Sequence, residues 1–578
     1  MPLGVGRQFK RSVQLLAGCA ALLPCSAGAQ TVAPTRDELT RPQQVTSPRS
    51  TLNVSGGIER SPCPLSQPQY ADVRITIRNV KFNNLKGASA EELAPAWRQF
   101  AGTSQSVAVL CEIRDAAATI LRDKGYLAAV QVPTQRIDDG VVQMETLFAR
   151  VTTVRARGQT GGAEAKLAGY LSKLTEDEIF DRYRAERYLL LARDLPGYNV
   201  QLTLRPAGTG PGELIGEVSV VKLPALVDVM VQNLAAPETG RWGGQVRAQL
   251  FGLTGLGDVT SASFYSTAEP REQKILQLSH SFRPGSEGFV VDGNFTYAWT
   301  RPDLNADSVV PPLKARTLFA ELAARYPVVR RQSHNLWIGA GFDFLKQDVD
   351  FFGPQSRDHL RVGFIRANFD AVDLTSRRPA WRGSLTVELR HGFDVLGASN
   401  GCPTGGCPVG TTGPSRSDGD PTGTLLRVAG DSEVAIGRNV ALAVSPRAQL
   451  GFDPLFAFEE FTAGNYTIGR GYDPAVLSGD SGVGASVELR GPRYIPRKLD
   501  TVSMQPYLFG DAAWVWNKGV DQKNDKLQSV GGGVRVTWSD RLRLDAAVAK
   551  PLSHTGVDDK KGPTRFLITL TSRILPWR

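Results

Sequence analysis

Two short stretches hold residue types whose chemistry is complementary. Ile468-Gly469-Arg470-Gly471-Tyr472 is a charged segment flanked by glycine, and Phe509-Gly510-Asp511-Ala512-Ala513 follows it downstream. The chemistry is ion pairing rather than bond making, since a guanidinium meets a carboxylate through two parallel hydrogen bonds. Asp511 lies in a run of period-two alternation. One face carries Leu508, Gly510, Ala512, Trp514 and Trp516, and the other carries Tyr507, Phe509, Asp511, Ala513 and Val515. A strand with lipid on one side and a filled lumen on the other turns the tryptophans outward and Asp511 inward. An inward carboxylate needs a partner, and Arg470 on a re-entrant loop is the best candidate. Tyr472 adds an apolar ring with a polar tip at the same surface.

Other stretches resemble chemistry and lack its partners. Gly479-Asp480-Ser481-Gly482 matches a serine-protease nucleophile segment, but a nucleophilic serine needs a base and an orienting acid. No histidine stands in the usual context, and Val483 follows where glycine is expected. A glycine-rich turn ahead of a strand over 485–489 accounts for it, in the same loop as Arg470. Gly531-Gly532-Gly533 opens a strand and is not followed by a helix or by Lys-Ser/Thr, so it is no phosphate cradle and no cofactor is expected. Small residues there let a wall bend or a loop pack closely. The five histidines are dispersed and none is near a cysteine pair, so no metal is expected.

These residues need elements to position them. Residues 1–29 read as a secretory signal: Arg7, Lys10 and Arg11, then an apolar stretch over 13–23, then Ala27-Gly28-Ala29 before Gln30. Leu16-Ala17-Gly18-Cys19 offers a competing lipoprotein cleavage box. Four cysteines remain after processing. In an oxidising compartment an even count favours two disulfides, expected as Cys63–Cys111 and Cys402–Cys407. The net charge is +10. The basic residues are scattered, with no basic helix interleaved with aromatics, so nucleic acid is not an expected partner.

Residues 30–70, rich in Pro, Ser, Thr and Gln, read as a linker in which Thr35-Arg36-Asp37-Glu38-Leu39 starts a short helix. Residues 71–151 predict a small α+β unit: a strand over 73–77, a helix over 111–124 ended by Gly125, a strand over 127–132, a turn at Asp139-Gly140 and one strand over 141–151. Residues 152–222 repeat the scheme, with a strand near 153–156, helices over 163–174 and 179–191, and strands over 200–204 and 212–221. From residue 223 to 578 short alternating segments are separated by turns rich in Gly, Asp, Asn and Pro, the pattern of a membrane β-barrel. No apolar run outside the leader reaches the roughly 18–20 residues of a spanning helix. Residues 397–424, with Cys402 and Cys407, predict a long surface loop.

Several motifs together resemble the two-partner secretion transporters of the bacterial outer membrane (TpsB type, the haemolysin secretion/activation proteins). Arg470-Gly471-Tyr472 resembles their loop motif and Asp511 their strand motif. Lys124-Gly125-Tyr126, Val132-Pro133-Thr134-Gln135 and Asp139-Gly140 resemble a first POTRA domain over 71–151. Leu195-Pro196-Gly197 with Arg205-Pro206-Ala207 resembles a second POTRA domain over 152–222. The chain departs at Gly469, where a branched residue is usual, and at Ala513, where glycine is usual. The resemblance implies two periplasmic POTRA domains, an N-terminal helix that plugs the lumen, and an antiparallel barrel of about 16 strands, which the 223–578 segment is long enough to supply. It implies no enzyme activity. It implies export of a large partner protein of the adhesin or cytolysin class across the outer membrane, POTRA edges capturing it. Outer-membrane lipid and the barrel-assembly machinery are the further partners. A barrel-assembly factor of the same superfamily and a passive porin are the alternatives. The family's terminal aromatic is replaced by Pro576-Trp577-Arg578, with Phe566 or Trp577 as substitutes.

Overall fold

The computed structural model describes residues 33–40, 53–54, 63–137, 139–210, 212–303, 313–375, 379–403, 407–408, 410–497, 501–519, 524–539, 541–554 and 562–576. The leader with its cleavage sites, and Trp577, lie outside these residues.

The first α+β unit is a three-stranded sheet backed by one long helix. Asn79–Asn83 runs parallel to Val141–Phe148, which pairs antiparallel with Ala128–Gln131. Helix Val109–Asp123 buries Val109, Ile113, Ala117 and Leu121, residues four apart on one face, against Val130, Val142 and Met144. Gly125, at φ +97°, ends it in a conformation that side chains resist. The Cys63 and Cys111 sulfurs are bonded, tying the segment ahead of the unit to this helix.

Two sequence expectations are corrected here. The predicted strand over 73–77 is only Arg74–Thr76, and it pairs with Ser104–Ser106 in a separate two-stranded sheet. Asn79–Asn83 takes its place in the main sheet; its sequence, Asn-Val-Lys-Phe-Asn, is too polar at its ends to announce a strand. The single strand expected over 141–151 breaks at the fully buried Ala149, whose N–H donates to the Leu127 carbonyl. Beyond it, Arg150–Gly158 enters the next sheet.

That sheet has the order Asn53–Val54, Tyr198–Pro206, Glu213–Lys222, Arg150–Gly158. Helices Glu164–Ser172 and Arg182–Arg193 cover it, with Leu167, Tyr170, Tyr188 and Leu191 in the core. Asp181 caps the second helix by accepting from the N–H groups of Tyr183 and Arg184.

From Ala225 onward sixteen antiparallel strands close into a barrel, the first, Ala225–Gln232, pairing with the last, Arg565–Leu575. Closure removes the open edges that hydrocarbon would leave unsatisfied. Leu322, Ile365, Leu508 and Trp514 are exposed on the outer wall, whereas Asp343, Arg390, Glu488 and Asp511 are buried within. The second α+β unit touches the turns at one end of the barrel: Glu186 accepts from Gln332 N–H at 2.7 Å, and Lys166 Nζ donates to the Gly285 carbonyl at 2.6 Å.

Two further readings change. Gly531-Gly532-Gly533 lies inside strand Asn524–Trp538 rather than opening it. Gly531 pairs with Phe509 and Gly533 with Tyr507, and a Cβ at either position would stand 2.5 or 2.7 Å from the opposing ring. The glycines make room for lumen aromatics. Ser481 and Gly482 begin strand Ser481–Arg490, so the protease-like segment is the point where a loop rejoins the wall.

Candidate functional site

Among the described residues, two pieces of the chain pack into the lumen. Residues 452–480, between strands Ala441–Gly451 and Ser481–Arg490, fold inward and pair with themselves through Phe461–Ala463 and Leu477–Gly479. Apolar packing anchors this segment: Phe461, Ile468, Tyr472 and Leu477 bury against Ala513, Val515 and Leu527 of the wall.

Its tip presents Arg470 to Asp511. Arg470 Nη2 donates to Asp511 Oδ1 at 2.8 Å and Nε to Oδ2 at 3.2 Å, the forked geometry of a guanidinium–carboxylate pair. The Arg470 backbone N–H also donates to Oδ2 at 2.9 Å. Ser486 and Ser529 hydroxyls complete the carboxylate's shell at 2.8 and 3.1 Å. Arg470 Nη1 reaches Glu488 at 2.7 Å, and its guanidinium stacks 3.6 Å over the Phe509 ring. Glu488 also accepts from Arg535, which stacks over Tyr507. Tyr472 turns its hydroxyl to the Gln528 and Ser553 backbone.

The two departures from the family pattern have local reasons. Gly469 has φ +124°, and a Cβ there would sit 2.7 Å from Leu527, so a branched residue does not fit this loop. Ala513 is fully buried opposite Gly484, and a Cβ on Gly484 would approach it to 2.9 Å. Gly484 on the neighbouring strand leaves the room that the Ala513 methyl occupies.

The second piece is helix Arg36–Leu39. Thr35 and Glu38 form a reciprocal cap at its start. Its side chains bind wall and loop alike. Arg36 contacts Glu459 at 3.0 Å and Asp343 at 3.1 Å, and Asp37 holds Arg447 at 2.8 Å and Thr462 at 2.7 Å. Leu39 is buried with Tyr265, Ile275 and Phe319. Around Arg36 lies a charge cluster that sequence reasoning missed. The fully buried Arg390 pairs with Glu459 at 2.8 Å, Asp343 at 2.7 Å and Glu388 at 3.0 Å. The one available signal was Phe456-Ala457-Phe458-Glu459-Glu460-Phe461, adjacent acids set among aromatics.

The remaining predicted residues lie elsewhere. Cys402 and Cys407 are bonded to each other in the loop after strand Trp381–Gly392, and Cys63 and Cys111 are outside the barrel. Asp480 and Ser481 hold backbone: Asp480 accepts from Leu455 and Lys518 N–H groups, and Ser481 Oγ from Gly451 N–H. Among the described residues no group of three or more His, Cys, Asp or Glu is arranged to hold a metal ion.

Comparison with known proteins gives consistent matches. The profile of the haemolysin secretion/activation proteins ShlB/FhaC/HecB matches residues 219–536, and that of the ShlB-type POTRA domain matches 75–147. The heme/hemopexin transporter protein HuxB of Haemophilus influenzae (strain 86-028NP) is 22% identical over 520 residues, covering 86% of each chain. The fold is similar to that of CdiB from Escherichia coli (TM-score 0.72, 15% identity, covering 93% of this chain and 95% of that one). It is also similar to CdiB from Acinetobacter baumannii (TM-score 0.63, 16% identity, covering 94% and 95%).

Proposed function

Given that the chain belongs to the haemolysin secretion/activation protein family, the TpsB outer-membrane transporters of two-partner secretion, we propose that it exports a large adhesin or cytolysin through a pore that its own N-terminal helix closes. The transporter sits in the outer membrane with its POTRA region in the periplasm. In this reading residues 152–222 form a second POTRA domain, and sheet edges of the two capture extended cargo by adding a strand.

The carrying observation is the unequal attachment of the two pieces in the lumen. If the helix leaves, Glu459 keeps Arg390 and Arg427, and Asp343 keeps Arg390. Arg447, left without Asp37, is about a third exposed and can be met by water. If Arg470 leaves, Asp511, whose side chain has no exposed surface, is stripped of its cation. Uncovering a buried charge in this way costs about 3–5 kcal/mol. The helix is therefore the piece that moves, and the loop stays as part of the wall.

Co-expression with a large secreted protein that carries a two-partner secretion domain tests the reading. Export of that protein into the medium is expected with the intact chain, together with binding of its secretion domain to a folded 71–222 fragment. A folded fragment that binds nothing, in cells that export nothing, refutes it.

A further inference from the structure

We infer that residues 413–423, the inner part of the loop after strand Trp381–Gly392, form a lid on the outer mouth of the pore, latched by Arg416. Arg416 stands in a long polar loop, where an arginine is ordinarily solvated. Its side chain is instead 11% exposed. Nη1 donates to Asp480 at 2.6 Å and Nε to Asp418 at 2.7 Å, Nη2 donates to the Lys518 carbonyl at 2.5 Å, and Glu460 lies at 3.4 Å. Asp480 is fully buried where the inward segment rejoins the wall. The latch thus reaches across the mouth, from one surface loop to the base of another.

The lid is fastened along its length. Ser415 N–H donates to Asp358 at 2.7 Å, and the Ser415 hydroxyl accepts from Ala457 N–H at 3.2 Å. Asp420 N–H donates to the Pro454 carbonyl at 2.8 Å. Phe456 packs so closely under Gly419 that a Cβ there would lie 2.6 Å from its ring. A small pocket is lined by Asp420 and Pro421 together with Arg390, Phe456 and Glu459, so the lid adjoins the buried charge cluster. These contacts join loops to one another and to strand residues, since the Arg357 N–H donates to the Gly413 carbonyl at 2.9 Å and the Gly392 N–H to the Gly423 carbonyl at 3.1 Å at the two ends of the lid; none is a bond between two barrel strands. Lifting the lid therefore parts no strand from another strand, whereas passage with it closed is blocked at the mouth even after the helix has left. Cys402–Cys407 closes the outer part of the same loop into a short ring.

The lid rests on the export reading, and two measurements on the full-length protein separate the two. A Ser415→Cys, Ala457→Cys pair ties lid to loop when oxidised. With the bond verified by gel shift and the barrel folded, export is expected to fall about tenfold or more below either single-cysteine control. Reductant, applied to all three, restores it. In planar bilayers, Arg416→Gln is expected to raise the open fraction about tenfold, since each bond lost is charge-assisted, with Arg416→Lys in between. Single-variant export by the oxidised pair overturns the lid, as does wild-type gating by Arg416→Gln. If the unaltered chain exports nothing, the export reading fails and the bilayer result still decides the lid.

Discussion

At the scale of single residues, Arg470 and Asp511 share one arrangement but are not equivalent within it. Arg470→Ala removes a cation from both Asp511 and Glu488, whereas after Asp511→Ala the arginine keeps Glu488 at 2.7 Å and Ser486 at 2.6 Å. Export by Arg470→Ala is expected to be nearly abolished with the barrel still inserted, and Asp511→Ala to be milder. The double variant is expected to be little worse than Arg470→Ala, because coupled losses do not add. Secreted partner in the medium, normalised to folded barrel, checks all three; additive defects refute the coupling. Gly469 makes a sharper case. Installing the family's usual branched residue, Gly469→Val, places a β-branched side chain at φ +124° against Leu527. It is expected to destabilise the loop by about 1–3 kcal/mol and to reduce export, read together with protease sensitivity of residues 452–480. Undiminished export would show that the tip is pliable.

At the scale of elements, the lumen helix Arg36–Leu39 is a single turn. Two backbone hydrogen bonds hold it, Leu39 N–H to Thr35 and Thr40 N–H to Arg36. One turn is unstable in isolation, so its order comes from the charges and the apolar pocket around it. Arg36→Ala with Leu39→Ala is therefore expected to unseat it and to raise bilayer conductance during the intervals in which the lid is up, without loss of folded barrel. Unchanged conductance would mean that the loops alone seal the pore. The Cys63–Cys111 bond acts on another element, fixing the segment before the first α+β unit to its long helix. Cys111→Ser is expected to cost that unit about 2–4 kcal/mol, seen as faster proteolysis within 63–148 while the barrel stays resistant. Equal cleavage rates would make the bond dispensable.

At the scale of the whole molecule, the second α+β unit is fastened to the barrel's periplasmic turns. Arg330 holds Asp194 through two bonds of 2.7 Å, Arg187 Nη1 donates to the Pro327 carbonyl at 2.8 Å, and Tyr188 donates to Glu287 at 2.9 Å. A bidentate pair fixes orientation as well as distance. The unit is thus set at a fixed angle beneath the pore, which under the proposed function would deliver cargo arriving on it to one place. Asp194→Ala is expected to broaden the spin-label distance distribution between this unit and the barrel, and to lower export without unfolding either part. A distribution as narrow as wild type would assign the angle to the other contacts.

Much of this was legible in the residues because the signals were local. Period-two alternation put Asp511 inward and Trp514 outward, since side-chain direction in a strand follows from the backbone alone. Thr35 and Glu38 marked a helix start for the same reason. The even cysteine count favoured two disulfides, and the Arg-Gly-Tyr segment was matched to Asp511 chiefly through its resemblance to the family's loop and strand motifs. What the tertiary structure alone decided is which distant residues meet. Alternation gives a side chain's face but neither its depth nor its neighbour, so nothing singled out Arg390 on its strand, and Glu459 and Arg416 lie in loops whose inward packing no local pattern reports. The strand at Asn79–Asn83, the break at Ala149 and the glycines opposite Tyr507 and Phe509 are likewise set by pairing across the sheet. A register fixed by contacts far apart in sequence leaves no mark in either strand by itself.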